Sequence, residues 1–304
     1  MAFSMLENVV GRFCYLNGER IAYDSEVGRS LFLPVEETIY YESIRVLDGV
    51  MLFFEDHMLR LYSSIEKEQR LSEATVYFPD AEQIYAMSVL LIQDDEHNVR
   101  DGNLRVVICG SRTLIYLSDM KLPLDADYQN GVVTVTLSWE RVSPQVKVFR
   151  GDYKAAVAKK LETGTPQGVP YEVLLTNSAG EITEGGRSNF FVLLDNVVYS
   201  PPEELILIGI TRKYVQKAIR EAGFSFEERL FTLAEILRLR GEGAEPVLFL
   251  TSSPFDILPV RFVDNVEVLD SGGAELTVLE RIRQAYRKFQ QGYIYFHSPE
   301  LPDE

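Results

Sequence analysis

Residues 171–194 read YEVLLTNSAGEITEGGRSNFFVLL, and the fold class turns on how this stretch is parsed. Tyr171–Asn177 and Asn189–Leu194 are rich in apolar, β-branched and aromatic residues, the composition of strands. Between them Ser178-Ala179-Gly180 signals a hairpin turn, and a connection holding Glu184, Gly185 and Gly186 leads into the second strand. Working outward, the same punctuation recurs. Asn17-Gly18 separates RFCYL from ERIAY, Asp48-Gly49 separates IRVL from VMLFF, and Gly110-Ser111 separates LRVVICG from TLIYLS. Asp195-Asn196 marks a further hairpin before NVVYS, and VVTVTLSW and PVLFLT read as strands. Helical spacing places Met58, Leu61, Tyr62 and Ile65 on one face of a helix over Glu55–Gln69. Further helices are expected at Ala81–Ile92, Tyr153–Glu162, Thr211–Ala222, Leu233–Leu239 and Leu276–Gln290. Hairpins interleaved with helices predict an α+β fold rather than a doubly wound parallel sheet. No G-x-G-x-x-G follows an early strand, which argues against dinucleotide binding.

The chain has 304 residues, 46% of them hydrophobic, enough for one large domain or two smaller ones. Its 30 Lys and Arg stand against 46 Asp and Glu, a net charge of -16 that disfavours nucleic acid and anionic membranes as partners. No apolar run reaches the ~18 residues of a membrane span. Two cysteines, Cys14 and Cys109, suit a reducing compartment. The start MAFSMLENVVGRF lacks the basic and apolar regions of a signal peptide. A soluble, cytoplasmic, acidic protein is therefore expected, and the charge itself says nothing about its chemistry. LPLDADYQNG, Leu122–Gly131, is the expected interdomain connection. It separates an N-terminal α+β domain (1–121) from a larger C-terminal domain (132–291), with a tail at 292–304.

The sequence carries no metal-ligand spacing: His57, His97 and His297 lie far apart and read as ordinary surface or core residues. G-x-S-x-G, P-loop and C-x-x-C patterns are absent. Three other segments carry weak signals. Leu207-Ile208-Gly209-Ile210-Thr211-Arg212 runs into a helix, and Gly209 with the free amides at Ile210 and Thr211 forms a construction able to hold phosphate; a helix start capped by Thr211 is the simpler explanation. Glu184 beside Gly185 and Gly186 can be held against a flat ligand, although an exposed turn is commoner. Thr251-Ser252-Ser253-Pro254 presents hydroxyls at the end of PVLFL.

In order, ITEGGRSNFF, IGITR and LTSSPFDILPV resemble the class IV, fold-type IV pyridoxal-phosphate enzymes: branched-chain and D-amino-acid aminotransferases and aminodeoxychorismate lyases. YLNGERIAY, YYESIRVLDG and FFEDHMLRLYSS resemble the opening hairpin, second hairpin and helix of the same family. The resemblance implies two α+β domains with pyridoxal 5'-phosphate in the cleft between them, and a homodimer. It implies Glu184 opposite the pyridine nitrogen and Tyr153 facing the ring oxygen. It also implies Arg60, Gly209, the Ile210 and Thr211 amides, Ser252 and Ser253 around the phosphate.

The lysine that joins the cofactor as a Schiff base is where this chain departs from the family. The region reads Glu140-Arg141-Val142-Ser143-Pro144-Gln145-Val146-Lys147-Val148-Phe149-Arg150-Gly151-Asp152-Tyr153-Lys154. Anchored on Ser-Pro-x-x-Lys, the nucleophile is Lys147. Anchored on Gly151-Asp152-Tyr153, which looks like the family's Gly-Asn-Tyr, the lysine position holds Val148. A one-residue insertion reconciles the two, and a one-residue shift along a strand reverses the face a side chain takes. Lys154, Lys159 and Lys160 fit the polar face of the following helix. The resemblance thus implies transfer of an amino group between an amino acid and a 2-oxo acid through Lys147. The alternatives are a lyase forming 4-aminobenzoate and pyruvate from aminodeoxychorismate, and a non-catalytic homologue lacking the lysine.

Overall fold

Asn17 and Gly18 both take positive φ, 49° and 92°, and so do Asp48 and Gly49, at 51° and 78°. These are the primed turns whose twist matches that of paired strands, and they set the registers Leu16↔Glu19 and Leu47↔Val50. A computed structural model describes residues 3–69, 79–94, 99–270 and 274–298. The chain divides into two compact units. One comprises Met1–Lys121, Val146–Asp152 and Gln290–Glu304, and the other Leu122–Gln145 and Tyr153–Phe289.

The first unit contains β1 (Phe3–Ser4), β2 (Phe13–Leu16), β3 (Glu19–Ala22), α1 (Glu26–Ser30), β4 (Pro34–Val35) and β5 (Ile39–Leu47). It continues with β6 (Val50–Met51), α2 (Phe54–Gln69), α3 (Ala81–Ile92), β7 (Asp101–Cys109) and β8 (Arg112–Ser118). Six strands form an antiparallel sheet in the order β3-β2-β8-β7-β5-β6. Alternation along β5 and β7 gives the sheet two apolar faces. Ile44, Val46, Leu104 and Val106 pack with Met58, Leu61 and Ile65 of α2 and Ile84 and Leu91 of α3. Ile39, Val107 and Cys109 pack with Met5, Leu6 and Leu31. The expected strand VMLFF shortens to Val50–Met51 because Phe53, at φ 55°, turns the chain directly into α2.

The second unit contains α4 (Asp125–Asn130), β9 (Val132–Ser138), α5 (Gly151–Leu161, from Tyr153 onward), β10 (Glu172–Thr176), β11 (Glu181–Gly185), β12 (Asn189–Leu194) and β13 (Val197–Ser200). Then follow α6 (Ile210–Glu221), β14 (Ser225–Glu228), β15 (Phe231–Thr232), α7 (Leu233–Gly241), β16 (Val247–Thr251), β17 (Ile257–Val263), β18 (Val266–Glu267) and α8 (Ala274–His297, up to Phe289). Its strands run β14-β13-β12-β16-β17-β9-β10-β11-β15, with β18 beside β17. The hairpins β10–β11 and β12–β13 form as the turn signals require, while β9–β10, β9–β17 and β13–β14 are parallel. The core is built from Leu174, Ile182, Phe190, Val192, Leu248, Leu250 and Val260.

Two segments depart from their expected structure. Within the connection, Asp125–Asn130 forms a short helix. The Asp127 carboxylate accepts from the Leu124 N–H at its start, and Gly131, at φ 76°, ends it. At the far end α8 continues past Gln290 to His297, so the first part of the expected tail is helical. The Tyr293 hydroxyl donates to Glu55 (2.6 Å) and accepts from the Phe54 N–H (3.1 Å), so this last turn is tied to the start of α2.

Candidate active site

The candidate residues fall on both units. Arg60 and Lys147 belong to the first, and Tyr153, Glu184, Gly209, Ile210, Thr211, Ser252 and Ser253 to the second.

On the first unit, alternation along β5 turns Tyr40, Glu42, Ile44 and Val46 toward α2, so a carboxylate sits in an apolar register. Glu42 is fully buried. Its Oε1 accepts from Arg60 Nε at 2.8 Å and its Oε2 from Arg60 Nη2 at 2.5 Å. His57, one turn earlier on α2 and also buried, reaches Glu42 Oε2 through Nδ1 at 2.8 Å. Burial opposes ionisation of Glu42, but the Arg60 charge and hydrogen bonds, with that of His57, outweigh it and hold the carboxyl well below the usual range. Burial pushes His57 below its ordinary value against the pull of Glu42, and the charges of Arg60 and Lys147 add to the depression.

Ser64 extends this cluster. Its Oγ donates to the Arg60 carbonyl at 2.8 Å and accepts from the Lys147 N–H at 3.1 Å. Residues 146–149 run along β5, with Val148 bridged to Tyr40 and the Phe149 N–H donating to the Ile39 carbonyl. Val146 and Val148 are buried in the α2 side of the core. Between them the Val148 N–H donates to the Val146 carbonyl at 3.2 Å, closing a three-residue turn on Lys147. The Lys147 ammonium lies 4.7 Å from the centre of the Tyr41 ring.

On the second unit Glu184 is buried near the end of β11. Its Oε1 lies 3.4 Å from Arg141 Nη1, and its Oε2 accepts from the Leu207 N–H at 3.2 Å. The Arg141 guanidinium also lies 5.3 Å over the Tyr153 ring, and the Tyr153 hydroxyl donates to the Gly186 carbonyl at 2.6 Å. The loop after Glu184 is pinned by a second buried acid, Glu172. It accepts from the Val173 and Arg187 N–H groups and from the Ser188 hydroxyl. Arg187 donates to the Tyr171 carbonyl and pairs with Glu172, so its charge clips the loop in place.

The start of α6 corrects one expectation: its N-cap is Gly209, without a side-chain cap, and Thr211 lies buried inside the first turn. A Cβ at Gly209 would stand 2.1 Å from Asn189 Oδ1, so any other residue there would force the Asn189 side chain to move. Arg212, wholly buried, pairs with Glu203 and Glu228 and anchors this turn. Across the β12–β16 ladder Asn189 faces Thr251, whose buried hydroxyl has no hydrogen-bond partner among the described residues. Ser252 donates to the Arg187 carbonyl, and Ser253 follows it, half-buried. Among the described residues no group of His, Cys, Asp and Glu could hold a metal ion.

The family model for amino-transferase class IV matches residues 40–263. The chain belongs to the class IV aminotransferases. These enzymes transfer amino groups. Among class IV relatives the chain is 27% identical over 255 residues to a D-alanine aminotransferase of Bacillus licheniformis, a match covering 78% of this chain and 83% of that one. It is 25% identical over 305 residues to the branched-chain-amino-acid aminotransferase of Escherichia coli K12, covering 90% and 91%. A crystal structure of the Escherichia coli branched-chain enzyme superposes with a TM-score of 0.70 at 22% identity, over 93% of this chain and 95% of that one. The PLP-bound form of a hypothetical aminotransferase from Mycobacterium tuberculosis also gives 0.70, at 18% identity, over 91% and 99%. The α+β fold expected from the hairpins is thus the fold-type IV architecture.

The residues missed by sequence reading, Glu42, Arg141 and Glu172, are acids and a base whose partners lie far along the chain. One signal was available, because Glu42 interrupts an otherwise apolar alternation in YYESIRV.

Proposed function

We propose that this class IV aminotransferase uses pyridoxal 5'-phosphate to move an amino group between an amino acid and a 2-oxo acid, with Lys147 as the amine that holds the cofactor. The observation that carries this reading is the turn closed by Val146 and Val148. It absorbs one residue locally and sends Lys147, rather than Val148, out of the apolar core.

The donor set suits the cofactor's chemistry. An uncapped helix start behind a glycine with no room for a Cβ offers amides to a phosphate. The unpartnered Thr251 hydroxyl lies at the end of the strand leading to Ser252 and Ser253. Arg60 supplies a cation for the phosphate. Glu184, fixed by the Leu207 N–H and Arg141, would face the pyridine nitrogen, and Tyr153 the ring oxygen. Bound pyridoxal phosphate supplies an aldehyde for the amino group and a ring that withdraws electrons from the carbon losing its proton. Lys147 Nζ would take that proton and return it. A cytoplasmic homodimer completes the reading.

The test is to incubate the protein with pyridoxal 5'-phosphate, a 2-oxo acid and a panel including D-alanine and L-leucine, then identify the new amino acid chromatographically. Acceptor-dependent formation of a product amino acid supports the proposal. Pyruvate released from aminodeoxychorismate without an acceptor would replace it with the lyase. Turnover in neither assay would leave a non-catalytic homologue.

A further inference from the structure

Glu42 places a carboxylate on the apolar face of β5, where an unpaired charge would be strongly unfavourable. Among the described residues it is compensated by two parallel hydrogen bonds from Arg60 Nε and Nη2 and a third from His57. A side-on pair of this kind fixes both the plane and the direction of a guanidinium. With Nε and Nη2 held, the orientation of Nη1 follows. We infer that Glu42 is a positioning residue for phosphate binding, setting the Arg60 guanidinium in the orientation that meets the cofactor's phosphate. The inference rests on the assignment of Arg60 to the phosphate made above.

The geometry assigns His57 a supporting part. Its Nδ1 lies 2.8 Å from Glu42 Oε2, a further hydrogen bond that helps hold the carboxylate against the guanidinium. The same helix carries Ser64, which stands between the Arg60 carbonyl and the Lys147 N–H. One hydrogen-bonded path thus runs from Glu42 through Arg60 to the backbone of the lysine turn.

The experiment compares binding of pyridoxal 5'-phosphate with binding of pyridoxal, which lacks the phosphate, in wild type, Arg60→Gln, Glu42→Gln, Glu42→Asp and the double variant Glu42→Gln/Arg60→Gln. Arg60→Gln should lower affinity for the phosphorylated ligand by on the order of 10²-fold and leave pyridoxal nearly unchanged. Glu42→Gln should cost the phosphorylated ligand about tenfold, as loss of an outer partner does at metal sites, and the double variant should lose no more than Arg60→Gln alone. Glu42→Asp keeps the charge but, one methylene shorter, draws the carboxylate back from Arg60, and should also weaken only the phosphorylated ligand. A second readout uses the wild-type protein. Its Arg60 Nε–H signal, assigned by its loss in Arg60→Lys, should resist solvent exchange with and without cofactor.

No phosphate-specific loss in Arg60→Gln would remove Arg60 from the phosphate site, a failure of the earlier assignment. A loss in Arg60→Gln with none in either Glu42 variant would overturn the role of Glu42 alone. So would an equal loss for pyridoxal, or a rapidly exchanging Arg60 Nε–H in the wild type.

Discussion

The Val148 N–H reaches the Val146 carbonyl at 3.2 Å across a single residue, and that residue is Lys147. The flanking valines are 4% and 7% exposed, so both are committed to the core. Two alignments of this region, one ending on Lys147 and one on Val148, differ by one residue, and a three-residue turn can take up such a difference without disturbing the strand pairing on either side. The side chain at 148 serves packing, and the one at 147 is the amine proposed to hold the cofactor.

Moving the amine by one position should therefore fail. Val148→Lys introduces an ammonium among Tyr40, Met58 and Leu61 and should cost roughly 3–5 kcal/mol, the penalty of an uncompensated buried charge. It should not restore transfer to Lys147→Ala. Chemical denaturation and a transamination assay on the single and double variants check both statements.

Stability should depend on pH through His57 and Glu42. Both have folded values below their ordinary values of 6.5 and 4.5, so the unfolded chain binds more protons than the folded one as pH falls. The His57 contribution is complete above 6.5 and is lost as pH drops below it; that of Glu42 is complete above 4.5 and is lost at lower pH. Unfolding free energies measured from about pH 8 to about pH 4 should show a first decline beginning near 6.5, and that decline should be absent from His57→Gln.

Gly209→Ala is expected to disturb the helix start. Its Cβ would meet Asn189 Oδ1 at 2.1 Å, and Asn189 is already bound to the Leu207 carbonyl at 2.8 Å. The cost should be about 1–3 kcal/mol, typical of overpacking, with weaker binding of pyridoxal 5'-phosphate than of pyridoxal relative to wild type. Thermal melts and fluorescence titrations read the two effects.

Glu184→Gln keeps an acceptor for the Leu207 N–H but removes the negative charge, so the protein should fold. Transfer should fall by on the order of 10²-fold or more. The change should appear in kcat more than in KM, because Glu184 is proposed to act on the cofactor ring rather than on the substrate. Steady-state kinetics with one amino acid and one 2-oxo acid provide the check.

The hairpins were legible because Asn-Gly and Asp-Gly have few backbone conformations open to them, and the turns at 17–18 and 48–49 form where the residues require. Ala81–Ile92 was legible from its periodicity, and Asp80 caps it as a short acid should. The short helix at Asp125–Asn130 was not, since Pro123 and Gly131 flank it and read as a loop. The site divides in the same way. Glu184, Gly209 and Ile210-Thr211 stand in compact local motifs. Glu42 and Arg60 are 18 residues apart, Arg141 and Glu184 are 43 apart, and only the packing of strand on helix or strand on loop brings each pair into contact. The turn that sets Lys147 between two buried valines is closed by one backbone hydrogen bond, which residue identities do not encode separately.

The most direct test of the account is covalent. Protein loaded with pyridoxal 5'-phosphate is reduced with borohydride, digested and mapped by mass spectrometry. The account predicts the pyridoxyl label on Lys147, with none in Lys147→Ala. Label on Lys154, Lys159 or Lys160, or a loaded protein that takes up no label at all, would contradict it.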